Sequence, residues 1–143
     1  MKQTIEKITH KGKLIALIIH STKLPPGVHF VSPLNAPFQV GTIVKTKNEH
    51  IRAHMHNEPV KTVRETQEVL VIEKGRMKMF LYAPNGTLVY EGIIQAGDKV
   101  LLASGGHGFD VLEDTVIFEV KQGPYPGYEK AKKYLEGHTH DSR

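Results

Sequence analysis

The chain contains no cysteine. A disulfide framework is therefore excluded, and so is any thiolate metal site. A bound metal would have to use nitrogen and oxygen ligands. The absence also fits a reducing compartment. Long apolar runs are missing too. The run nearest the N-terminus, Leu14 to Ile19, has six residues, whereas a bilayer span needs about 20. It is also short for a signal-peptide core, and no small-residue cleavage site follows closely. These absences predict a soluble, cytoplasmic protein with no membrane partner. No basic stripe interleaved with aromatics is present, so no nucleic-acid partner is expected. There is no long amphipathic helix and no internal repeat.

What is present is a turn-rich chain of single-domain size, 143 residues with 13 glycines and 8 prolines. Residues 13–20, KLIALIIH, read as a buried strand because isoleucine dominates the run. Residues 1–12 read as an edge strand or a fraying end. Further strands are predicted at 29–31, 40–47, 50–56, within 60–75, and at 76–83, 87–94, 99–103, 109–112 and 115–121. Asn85-Gly86 signals a hairpin. Glu129 to Glu136 reads as one or two helical turns, followed by a flexible tail. Short strands at near-regular spacing predict an all-β sandwich or barrel, and the jelly roll is one such solution.

The stretch HMHNEPVKTVRETQEVLVIEKG, residues 54–75, carries the chemistry. Alternate residues on a strand face the same way, so His54 and His56 project together, about 7 Å apart. Glu68 heads a β-branched strand and shares parity with Leu70 and Ile72, so it faces inward. A buried, unpaired carboxylate is costly, so a cation partner is expected, with Gln67 the alternative if the register slips by one. His107 lies among Gly105, Gly106 and Gly108, which permit positive φ and close approach. Three imidazoles and one carboxylate suit one divalent transition metal ion: zinc, iron, manganese, nickel or copper. The plainer alternatives are a chance His-x-His pair, a solvated glutamate and a turn histidine. The tail pair His138 and His140 lacks flanking strands and a carboxylate, and reads as a decoy.

Arg52 shares the face of His54 and His56. It is a candidate substrate-binding residue, because a guanidinium grips carboxylate or phosphate in a bidentate manner; a rim salt bridge is the alternative. His50 is a spare on the same face. Glu119 and Lys121 read as an exposed ion pair rather than an acid–base couple. Met77, Met79 and Phe109 read as core, and the tyrosines of GPYPGYEKAKKY as a cap. The net charge is +4, with lysines dispersed except around Lys130, Lys132 and Lys133. A mild positive field favours anionic small molecules, and solubility alone also accounts for it.

His54-Met55-His56, Glu68 with Gly75 seven positions on, and Gly97, Gly105 and His107 resemble the two motifs of the cupin superfamily, specifically its small bacterial single-domain members. The chain departs from the motifs at several points. Asn48 stands for the first glycine, and eleven residues separate His56 from Glu68. Ala103 stands for the proline, His107 comes one residue early, and Val111 stands for a final asparagine. The resemblance covers residues 36–127. It implies a double-stranded β-helix, or jelly-roll, cupin barrel there. Residues 1–35 would form N-terminal strands and a loop extending it, and 128–143 a C-terminal helical turn and flexible tail.

The resemblance further implies metal ligation by His54, His56, Glu68 and His107, and a homodimer. It implies action on a small polar molecule, either carbohydrate-related or anionic. Cupin reactions include isomerisation, epimerisation, lyase chemistry and dioxygenation, and the fold does not choose among them. The alternative is a non-catalytic cupin that binds or senses a small molecule.

Overall fold

The computed structural model describes residues 4–20 and 23–135. The chain is all-β in antiparallel sheets, with about 45% strand and 3% helix among the described residues. Ten strands form among the described residues: β1 (Ile5–His10), β2 (Lys13–Ile19), β3 (Gly27–Phe30), β4 (Gly41–Val44), β5 (Glu68–Lys74), β6 (Arg76–Tyr82), β7 (Leu88–Gln95), β8 (Lys99–Leu102), β9 (Gly106–Val111) and β10 (Val116–Lys121). One short helix, α1 (Tyr128–Ala131), follows.

Two sheets make up the body. The first has the order β1-β2-β8-β5-β10 and the second β7-β6-β9. They share one core, with Ile15, Ile18, Leu70 and Ile72 from the first sheet and Met77, Met79, Leu81 and Ile94 from the second. Met77 and Met79 are thus core, as expected. A smaller cluster lies on the other face of the first sheet, where Val31, Phe38 and Val40 cover Leu17, Leu101 and Ala103. Burial on both faces explains why β2 is a continuous apolar run. β5 alternates instead, with Leu70 and Ile72 buried and Val69 and Val71 half-buried.

β5 crosses into β6 of the other sheet through Gly75 alone. Its φ is +87°, and a β-carbon there would collide with the Asp114 carbonyl and the Thr115 side chain. The Asn85-Gly86 turn forms as expected: Ala83 N–H bonds the Thr87 carbonyl, and Gly86 has φ +87°.

Two expectations are corrected. The sheets do not close into a barrel, because β10 and β9 each end a sheet without a further strand partner. The strand expected at 50–56 does not form, nor do the strand segments expected in 60–67. Alternation reports how side chains are divided between faces. It does not supply the partner strand whose N–H and C=O groups complete a ladder. No backbone ladder holds 50–64, and Met55, on the face expected to be apolar, is 94% exposed. Among the described residues, the β3–β4 hairpin pairs only with itself.

Candidate functional site

A cleft of about 980 Å³ opens where β5, β9 and β10 meet the C-terminal segment. Its floor is apolar, formed by Leu70, Phe109 and Ile117. Glu68, Glu119, Lys121 and His107 add polar groups. Strand parity explains the grouping. Glu68 is two residues from Leu70 on β5, and Glu119 and Lys121 continue the face of Ile117 on β10. The β10–β5 register sets Lys121 opposite Glu68 and Glu119 opposite Leu70.

His107 reaches this place from β9. The turn before it passes through Gly105, with φ +74°, where a β-carbon would strike the Tyr82 carbonyl. Of the three local glycines, Gly105 is the one that adopts positive φ. His107 pairs across with Leu81 of β6, and its ring lies 5.7 Å from that of Phe109. Its Nε2 stands 3.4 Å from Glu68 Oε2. Residues 39 positions apart in sequence are thereby joined.

The electrostatics favour a neutral imidazole. About a third of the His107 side chain is open to solvent, yet the surrounding protein crowds the ring. Burial is the largest influence and holds His107 below the ordinary imidazole value; Glu68 pulls the other way, and Lys132 and Lys121 add to the lowering. Lys121 Nζ lies 2.9 Å from Glu119 and 3.7 Å from Glu68. Its ammonium is held above the ordinary value, first by the hydrogen bond to Glu119. The Glu119–Lys121 pair expected from sequence is present, but it lines the cleft. Gln67 is buried and structural: its side-chain amide donates to the Ala103 carbonyl, and its Oε1 accepts from Phe38 N–H.

Arg52, His54 and His56 lie on the exposed 50–64 stretch and do not line the cleft. The structure thus joins Glu68 with His107 and leaves His54 and His56 as a separate pair. Their rings stand edge to face with centroids 5.1 Å apart. His54 Nδ1 donates to the Arg52 carbonyl at 2.8 Å, which leaves its Nε2 lone pair available. Among the described residues, no three His, Asp or Glu side chains converge on a metal-sized point. His138 and His140 lie outside the described residues.

Sequence reasoning placed Glu68 and His107 but missed the lysines of the cleft. Lys121 was read as an exposed partner of Glu119. The cluster Lys130, Lys132 and Lys133, the one break in an even lysine distribution, was the available signal. No helix among the described residues is long and apolar enough to cross a membrane. Compared with known proteins, the chain matches no family profile, no curated protein and no solved structure.

Proposed function

We propose that this chain is a cupin-type jelly roll that binds one divalent transition metal ion at the Glu68–His107 cleft and acts there on a small polar or anionic molecule. The observation carrying this reading is the meeting of Glu68 and His107 at 3.4 Å on an apolar-floored cleft. A carboxylate beside an imidazole held neutral by burial is a donor set that fits such an ion. The strand order supports the fold. From β5 to β10 the chain passes between the sheets so that β8, β5 and β10 pair in one and β7, β6 and β9 in the other, a jelly-roll type of winding.

His54 and His56 are the remaining ligands in this reading. β9, which carries His107, has an open edge, and residues 50–56 retain strand alternation. Pairing of that stretch along β9 would bring its two imidazoles toward Glu68 and His107 and satisfy backbone groups on both segments. Arg52, two residues from His54, would then come near enough to hold an anionic substrate. The ion would supply Lewis acidity or oxygen activation. The chain's own residues orient the ligand and, through Leu70, Phe109 and Ile117, shed water from its apolar part.

Metal content by elemental analysis tests this, on protein ending before His138 so that the tail pair contributes nothing. One ion per chain is expected for the wild type, with loss in His107→Ala, Glu68→Gln and His56→Ala. Full occupancy in both His107→Ala and Glu68→Gln would remove the cleft from the site.

A further inference from the structure

We propose that the C-terminal arm, residues 122–135, is a cationic lid that selects ligands carrying a carboxylate or phosphate group, with Lys132 as the main grip and Leu135 as the latch. This rests on the reading that the Glu68–His107 cleft is where the chain works, and it names the ligand class.

The arm covers the cleft from one side. It leaves the end of β10 at Lys121 and contributes Pro124, Tyr125, Tyr134, Leu135 and three lysines to the lining. Its charges point one way. Lys130, Lys132 and Lys133 line the cleft, whereas Glu129 of the same arm does not. The carboxylates of the cleft are already engaged. Glu65 pairs with Lys13, while Glu68 and Glu119 both pair with Lys121. No carboxylate among the described residues pairs with Lys130, Lys132 or Lys133. Lys132 lines the same cleft as the His107 ring. Cations facing an apolar floor favour an anion with a compact apolar body, which gains both contacts at once.

The arm is lightly held, as a lid requires. α1 buries no residue. The clearest attachment is Leu135, whose side chain packs so closely on Gly106 that a β-carbon there would stand 2.7 Å from Leu135 Cδ1. Gly106 precedes His107, so the latch sits one residue from the cleft imidazole. Elements with few buried contacts open at low free energy, and an anion bridging Lys132 to the floor would favour the closed arrangement.

The test is titration of the full-length chain with phenyl phosphate, benzoate and neutral benzyl alcohol at matched ionic strength. It is read from the amide shifts of Gly106 and His107 and from tyrosine fluorescence. Both anions should bind and the alcohol should not. Lys132→Gln should weaken anion binding about tenfold, the size of one charge-assisted contact. Leu135→Ala, which leaves every lysine in place, should weaken it as well. Equal binding of the alcohol, no binding of either anion, or unchanged affinity in Lys132→Gln would overturn the proposal. Zinc titration of the protein ending before His138, with and without Lys132→Gln, separates the two readings. Lysine-dependent anion binding without zinc binding would sustain the lid and defeat the metal site. Zinc binding without anion binding would defeat the lid alone.

Discussion

Tyr90 gives the sharpest thermodynamic prediction. It lies on β7, packs against the shared core and stands directly over Gly92, where a β-carbon would meet its ring and hydroxyl. Burial is the main reason its phenol is pushed up from 10.0 to about 12, with the negative charge of Glu6, a hydrogen bond to Glu6 and the charge of Asp98 adding to it. The native pKa is raised, so the stabilisation is fully present below pH 10 and is lost as pH rises toward 12. A shift of two units corresponds to roughly 2.7 kcal/mol. Water on the open side of the half-buried ring screens part of this, so the expected loss is about 1–2 kcal/mol. Tyr90→Phe removes the titrating group. At pH 8 the variant should be less stable by about 1–2 kcal/mol, through loss of a hydrogen bond to a charged acceptor. Urea unfolding between pH 8 and 11.5 measures the gap between the two proteins, and differencing cancels the other tyrosines and lysines. The gap should narrow above pH 10. A gap that stays constant to pH 11.5 would refute the reasoning.

Other expectations concern named contacts. Gly75→Ala should cost about 1–3 kcal/mol, because its φ of +87° and the nearby Asp114 carbonyl leave no room for a side chain; thermal unfolding measures it. Asp98→Ala should cost about 3 kcal/mol, because it leaves His20 and the Gln95 N–H without the buried carboxylate they share; urea unfolding at pH 7 reads this. Zinc affinity should fall from about pH 7.5 to 5, since neutral imidazoles are required. His107, held low chiefly by burial, should keep its lone pair further into acid than an exposed histidine would, which ring proton shifts can follow.

The strands that bury a face were legible in the sequence. β2 showed as an apolar run and β5 as an alternation, and the parity rule put Glu68 with Leu70 and Ile72. Parity also grouped Ile117, Glu119 and Lys121 on one face of β10, but it read the charged pair as exposed, whereas both residues line the cleft. The segment 50–56 shows where the pattern stops being informative. Its alternation is as regular as that of β5, but no neighbour takes up its hydrogen bonds, and periodicity carries no information about partners. The lysine arm was hidden for a related reason. Lys132 and Lys121 are eleven residues apart, and only the turn through QGPYPG brings the arm back over the cleft. The residues flanking a turn can be read from sequence, whereas the direction in which it sends the chain cannot.

The two ends of β8 divide the molecule's work. At one end, Asp98 Oδ2 accepts the Gln95 N–H at 3.0 Å and its Oδ1 stands 3.3 Å from His20 Nδ1. His20 Nε2 in turn lies 2.6 Å from Glu6. This network is buried at His20 and Asp98, and it ties β1 and the end of β2 to the turn between β7 and β8. At the other end, Leu102 pairs with Glu68 and lines the cleft. The ends are four residues apart, or about 13 Å at strand rise. Sites that far apart with no shared partner have additive effects on stability. Weakening the network should therefore lower the stability of the whole fold while leaving ligand affinity at Glu68 and His107 unchanged in the folded fraction. Changes to the arm should do the reverse. The cleft can thus tolerate an open mouth, neighbouring like charges and a lightly held lid because the polar lock that secures the sheet lies at its far end.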